Sequence, residues 1–336
     1  MNKKNLGAIS VIICFSFFLC GCSLNIVPVS HTNEYIVTAL GFDCQEEILK
    51  VTAETLIVST EQASEQANTK IFFAEAEKIP AAMEKISEKA TQSLEMSHCA
   101  VAIIGESVTP HYMKEICDYF YKTQGLTLSA FFVATENAEK LLSQKAVSSV
   151  AVGYDIVSIL EKQGNHSGTK FKNRYFEIEA ARKSKTCTFA LPLIKTEGED
   201  IIYNGAVVYS NLKSALTLKD EQLFFYALAN DIQGKGTVFL NGKEIKINSA
   251  YTSYKTKKEG QKVKITANIS IDTKQNDILT SKTVENEIKK LFLLSQQTKI
   301  DILKIGDLLY HREKSFFTEN KDFYEKVEYS VNINEE

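Results

Sequence analysis

Residues 262–272 read KVKITANISID, and this stretch decides the fold class. Val263, Ile265, Ala267, Ile269 and Ile271 alternate strictly with polar residues. A period of two places the five apolar side chains on one face of a strand and leaves the other face wet. Such a strand belongs to an antiparallel sheet with one covered side. Ala250–Thr256 and Gly260 precede it as the other arm of a hairpin. Thr237–Leu240, Asn241-Gly242 and Lys243–Asn248 form a second hairpin, with Asn-Gly at the turn that strand twist favours. The cover follows in the chain. A helix is expected from about residue 281 to 298, with Val284, Ile288, Leu291, Leu294 and Ser295 on one stripe. Ile302 to Leu309 continue it as a second helical segment, and residues 325–332 alternate again as a closing strand.

Upstream the pattern changes. Residues 34–135 read as β-β-(β)-α-β-α-β. Strands are expected at Tyr35–Leu40, Ile48–Ser59, Ile71–Ala76, Ala100–Ile104 and Leu126–Ala134. One helix carries Ile79, Met83, Ile86, Ala90 and Leu94 at helical spacing, and a second carries Met113, Ile116, Cys117 and Phe120. Thr109-Pro110 starts the second helix, with Thr as N-cap and Pro at the first helical position. Asn137 caps a helix from 138, and Val150–Lys162 reads as another. Residues 60–70 form a polar insertion, and residues 171–183 fit helix or strand. Strands at Thr188–Ile194 and Ile201–Tyr209 follow, then a helix from Thr217 to Asn230. Gly-rich breaks at 163–170 and at Gly234 and Gly236 divide the chain. The expected fold class is α+β, as three consecutive mixed α/β domains, each a β-sheet flanked by helices. Their bounds are 34–165, 166–235 and 236–336, and the last is an antiparallel sheet covered by a long helix.

The first residues are an address. Lys3 and Lys4 precede an almost uninterrupted apolar run about 14 residues long, Leu6 to Leu19, short for a membrane span of roughly 20. The run ends in Leu19-Cys20-Gly21-Cys22, which resembles the bacterial lipobox. This predicts a signal peptide over 1–21, acylation of the Cys22 thiol, and a tether over 22–33. A signal peptide with an incidental Cys22 is the alternative. The remaining composition is globular. The chain has 336 residues, 44% of them hydrophobic and 24% charged, with net charge −3. That is too apolar for a disordered chain and too polar for a multi-span membrane protein. Without Lys3 and Lys4 there remain 37 basic against 42 acidic residues, a net −5. This balance excludes an electrostatic nucleic-acid binder and leaves the lipid, not charge, as the membrane contact.

The chemistry-bearing motifs are few. GxGxxG, Walker A, HExxH and GxSxG patterns are absent. His31, His98, His111, His166 and His311 are scattered, so no metal ligands are assigned. Cys44, Cys99, Cys117 and Cys187 are widely spaced, and no disulfide pairing can be read from them. The basic cluster Lys255, Lys257 and Lys258 reads as a solvated turn. No catalytic residue, cofactor or metal is predicted, and the protein is expected not to be an enzyme.

Three stretches carry a family resemblance. Ser97–Glu106, SHCAVAIIGE, is similar to a strand that follows the first helix in the Ger(x)C family. Tyr203–Tyr209 followed by Leu216–Glu221 resembles that family's strand-to-helix passage, with Gly205 in place. Gln297–Arg312, QTKIDILKIGDLLYHR, matches in its Gln, Asp, Gly and His-Arg spacing. Ser23–Val29 and the Trp-free C-terminus, with Phe323 and Tyr324 nearby, depart from the pattern. The resemblance implies a C subunit of a spore germinant receptor, built as three α+β domains. It implies a non-catalytic lipoprotein at the outer face of the cell membrane, the inner membrane of the spore. Its partners would be the lipid on Cys22 and the receptor's A and B membrane subunits, with any small-molecule ligand undefined. The alternative is a solute-binding lipoprotein of a transporter, which would show two α/β lobes hinged around a cleft.

Overall fold

The structure is a computed structural model that describes residues 34–57, 68–162, 173–232, 234–240, 243–273, 278–320 and 322–335. The expected signal peptide, the tether with Cys22, most of the polar insertion, the 163–170 break and the Asn241-Gly242 turn lie outside the described residues.

β1 (Glu34–Gln45), β2 (Ile48–Ile57) and β3 (Asn68–Ala76) form an antiparallel meander. Glu46 and Glu47 turn the first hairpin with φ of 48° and 65°, both left-handed, the geometry that a two-residue turn needs. β5 (Val101–Gly105) and β6 (Phe131–Thr135) then add in parallel to β1, and the short β4 (Ser93–Glu95) pairs with its start. Parallel neighbours need crossovers. These contain α1 (Ile79–Lys89) and α2 (Pro110–Lys122), the two expected helices, but α1 stops short of Ala90, its C-cap, and Leu94, expected on its stripe, lies in β4. The Thr109 hydroxyl accepts from the Tyr112 N–H, and the Asn137 side chain from the Lys140 N–H, so both predicted caps are in place.

After α3 (Ala138–Leu142), α4 (Val152–Lys162) and α5 (Tyr175–Arg182), the chain enters a second meander of β7 (Thr188–Glu197), β8 (Asp200–Ser210) and β9 (Lys213–Leu218). β7 joins β6 in parallel at the single pair Ala134↔Leu193. The sheet therefore runs β3-β2-β1-β5-β6-β7-β8-β9, with β4 beside β1. Both of its faces are covered in the middle. Leu40, Phe42, Ile104 and Phe132 pack with α1 and α2, while Val101, Ile103 and Val133 pack with α3 and α4. This is why VAIIG and FFVAT are buried at every position rather than alternating.

The C-terminal part contains α6 (Asp220–Ala229), β10 (Gly236–Leu240), β11 (Lys243–Glu259), β12 (Lys262–Thr273), α7 (Ile278–Thr298), α8 (Ile305–Arg312), α9 (Lys314–Glu319) and β13 (Val327–Glu335). Val263, Ile265, Ala267, Ile269 and Ile271 are all fully buried, against Val284, Ile288 and Leu291 of α7. Ala206 and Val208 of β8 belong to the same core, so the second meander faces the C-terminal sheet as well.

Several expectations change. The sheet β10-β11-β12 is antiparallel as expected, but β13 adds to β12 in parallel. The intervening helices form a crossover that returns the chain to the end where β12 began. Thr217 does not start a helix. It lies in edge strand β9, and the helix begins at Asp220. Only Leu218 of β9 is fully buried, and the exposed and half-buried positions alternate residue by residue as in a strand. Residues 175–182 resolve as helix, with Tyr175 fully buried and its hydroxyl donating to the Cys117 carbonyl at 2.7 Å. The nine-stranded and four-stranded sheets share a core through Ala206 and Val208 of β8, which differs from the hinged pair of α/β lobes expected of a solute-binding lipoprotein.

Candidate functional site

Cys22, the site residue predicted from sequence, lies outside the described residues. The described residues do bring acidic side chains into the interior, and these define the candidate chemistry. Asp43, Glu54, Asp155 and Asp301 are all buried. Each accepts backbone N–H groups from a segment distant or adjacent in the chain. Asp43 accepts from Ala138 at 3.0 Å and Glu139 at 2.9 Å, the start of α3. Glu54 accepts from Val152 at 2.7 Å and Gly153 at 2.8 Å, the start of α4, and from the Thr38 hydroxyl at 2.6 Å. Asp301 accepts from Ile305 at 2.7 Å and Gly306 at 2.8 Å, the start of α8, and from the Tyr324 hydroxyl at 2.6 Å. Asp155 holds the 147–148 loop through the Val147 and Ser148 N–H groups.

The free N–H groups at a helix start attract anions. These carboxylates therefore act as remote caps that fix helices to the sheet. Burial pushes the pKa of Asp43, Glu54 and Asp301 up, against the donors that favour the charged form. For Asp155 burial is again the largest influence, but the summed hydrogen bonds from residues 147–149 outweigh it and hold the pKa low. Perturbed carboxylates mark catalytic sites often enough to be suspects. Here their oxygens are committed to backbone donors.

The three stretches that carry the family resemblance fall on this scaffold. A Cβ on Gly105, in the first stretch, would meet Asp43 Oδ1 at 2.0 Å, so glycine leaves room for the α3 anchor. Gly205, in the second, has φ +95° and lies against the Leu218 carbonyl, where a Cβ would stand 2.3 Å away. Gly306, in the third, follows the Asp301 anchor, and a Cβ there would meet Thr186 Cγ2 at 2.3 Å. These motifs are determinants of the fold. Sequence reasoning missed the anchoring roles, and the available signal was a carboxylate inside an apolar run, as in ALGFDC, VTAETLI and KIDIL.

Several concavities are built on the scaffold. A groove of about 1060 Å³ lies between the β1–β2 turn, α1 and α2. Glu46, Glu47, Glu77, Glu115 and Asp118 line it against Lys78 and Lys122, so its field favours cations. Tyr112 braces the strained turn by donating to the Glu47 carbonyl at 2.7 Å. A smaller cleft of about 400 Å³ lies at the β6–β7 seam, with Thr135, Glu136, Lys195 and Tyr209 among its lining. Lys195 and Glu136 pair across it, and this hydrogen bond and charge hold the Glu136 pKa low. The four described cysteines are free thiols. Burial pushes Cys99 and Cys117 up to about 12, so neither is a thiolate at neutral pH. Among the described residues no group of three or more His, Cys, Asp or Glu is placed to hold a metal ion, and no described helix is long and apolar enough to cross a membrane.

Residues 31–196 match the family described as Spore germination protein N-terminal domain. The chain is 23% identical over 290 residues to Spore germination protein GerQC of Bacillus cereus, covering 82% of this chain and 78% of that protein. Among solved structures it is similar to the GerBC protein, with a TM-score of 0.55 at 14% identity, covering 89% of this chain and 96% of that one. The structural likeness bears out the expected mixed α/β fold class.

Proposed function

Because the chain belongs to the Ger(x)C family of spore germination proteins, we propose that it is the lipid-anchored, non-catalytic C subunit of a spore germinant receptor. The observation that carries this reading is the match to a spore germination protein over 82% of the chain. Acylated Cys22 is the anchor, supported by the Lys3-Lys4 start, the apolar run and the Leu-Cys-Gly-Cys ending. The body then sits on the outer face of the membrane, the inner membrane of the spore, beside the receptor's A and B membrane subunits. A non-catalytic role is supported by the buried carboxylates, whose oxygens accept backbone N–H groups. The body is read as three units, 34–165, 166–235 and 236–336, that present surfaces to those partners. The test is purification of a tagged chain from spore membranes after mild crosslinking. Co-recovery of A- and B-type membrane subunits is expected, and recovery of the chain without either would contradict the reading.

A further inference from the structure

Residues 255–264 read KTKKEGQKVK, five lysines against one glutamate, in a chain whose acidic residues outnumber its basic ones. The structure makes this stretch the tip of the β11–β12 hairpin, with Gly260 at the turn (φ 64°). Lys257 pairs with Glu259 and Lys262 with Glu328, at exposed positions where such pairs hold weakly. Lys255, Lys258 and Lys264 form no ion pair with any described residue. Lys257 and Lys264 stand directly opposite each other across the hairpin. Like charges at that spacing work against the pairing. A hairpin built only for solubility would mix its charges, whereas this one gathers a single sign.

The lysines do not stand alone. Lys255, Lys257, Lys262 and Lys264 lie on the outer face of the C-terminal sheet, since Val263 and Ile265 take the face turned to the core. The polar positions of β12 on that outer face stay exposed or half-buried, so no described helix covers it. Tyr251 shares the face, opposite Ser270 and four residues along β11 from Lys255, and is 61% exposed. Cations meet headgroup phosphates and an amphipathic tyrosine ring sits at headgroup level, so this is the composition of a membrane interface. The chain between Cys22 and Glu34 favours a lipid surface as the occupant. It spans twelve residues, at most about 40 Å when fully extended. A body on that anchor is never far from headgroups, and a spacer of that length leaves the body's own surface to set its orientation. A charged surface is felt only within about 10 Å, so the charge of one face decides what it attracts, not the net charge of the chain.

We propose that the lysine-rich tip of the β11–β12 hairpin, with Tyr251 beside it, rests on an anionic lipid surface and orients the anchored body. Each lysine brought to such a surface favours the docked orientation about fivefold, so the three unpaired ones together favour it by roughly a hundredfold. The contact rests on the proposed anchor only to bring the body to a membrane.

The acylated full chain in lipid nanodiscs tests it, with discs of phosphatidylcholine alone compared with discs that also hold phosphatidylglycerol. Reductive methylation with formaldehyde, a neutral reagent, reports each lysine by mass spectrometry. Lys255, Lys258 and Lys264 should react more slowly in the anionic discs by roughly tenfold, and added salt should restore their rates. Lys78 and Lys122, exposed beside α1 and α2, should react alike in both. The chain has no Trp, so Tyr251→Trp supplies a single fluorophore at an exposed position. Its quenching by acrylamide should fall by about half, in the anionic discs only. Lys255→Gln/Lys258→Gln/Lys264→Gln, all at exposed positions, should abolish both differences while the chain still loads into discs. Equal lysine rates in the two kinds of disc, from a chain that loads into both, would overturn the contact and leave the anchor standing. Protection in neutral discs as well, or protection that survives salt, would also overturn it. A chain that loads into neither disc would overturn the anchor and this contact with it.

Discussion

Replacing Asp301 with Ala probes the remote-cap principle where it is most enclosed. Asp301 is 4% exposed and takes three hydrogen bonds, from the Ile305 and Gly306 N–H groups and the Tyr324 hydroxyl. Lys304, at the N-cap of α8, has φ 53° and no side-chain cap of its own, so Asp301 is what satisfies the helix start. Asp301→Ala leaves two buried backbone donors unmatched and the Tyr324 hydroxyl with only the Ile300 carbonyl, at 3.5 Å. A lost cap costs about 0.5–2 kcal/mol, and each stranded buried donor about 1–3 kcal/mol before relaxation. A combined loss of about 3–5 kcal/mol is expected, because the site can relax only partly around Gly306, where Thr186 and Phe323 already press. Asp301→Asn keeps the shape but turns an NH2 toward one of the two backbone donors, for about 2–3 kcal/mol. Asp307, six residues on, accepts from the Lys185 N–H and the Thr186 hydroxyl in a half-buried setting. Its change to Ala should cost about 1 kcal/mol and serves as the control. Urea unfolding at neutral pH reads all three as shifts in midpoint at constant slope. A cost for Asp301→Ala within about 1 kcal/mol of that for Asp307→Ala would overturn the remote-cap role of Asp301.

Other consequences follow from the same interior. Gly105→Ala puts a methyl where Asp43 Oδ1 lies and should cost about 1–3 kcal/mol in a thermal melt, with the α3 anchor displaced. Glu54 has its pKa raised by burial, so the folded state holds the proton more tightly than the unfolded one. The stability of wild type relative to Glu54→Gln should therefore grow as pH falls through the folded pKa, and level off below the ordinary carboxylate value. A difference that shrinks on acidification would contradict the assignment. With their thiols at about 12 and buried, Cys99 and Cys117 should resist iodoacetamide in the native protein and react only after unfolding, as read by mass spectrometry.

Much of the architecture is legible in the chain because periodicity reports burial. The alternation over 262–272 and the stripe of Val284, Ile288 and Leu291 each identify their element, since each has one wet and one dry face. The VAIIG run reads as a strand because a sheet covered on both faces hides every side chain. The alternation in β9 is faint, since only Leu218 is fully buried and the helix begins two residues later. The parallel pairing of β13 is hidden for a different reason: direction is set by the helical crossover, not by the strand's own residues. The anchors are the least legible part. Asp43, Glu54 and Asp301 look like interruptions of apolar runs, and their helix partners lie as far as 99 residues away, from Glu54 to Gly153. The cleft is likewise assembled from the ends of β5, β6 and β9, which no local motif links.

In the proposed function, acylated Cys22 holds this body at the spore membrane as part of a germinant receptor. Cys22→Ala in a spore-forming host tests it directly, by fractionation of spore membranes and by the nutrient germination response of the same spores. The variant chain is expected to leave the membrane fraction, with loss of the response that depends on it. A variant that stays in the membrane with an unchanged nutrient response would contradict it.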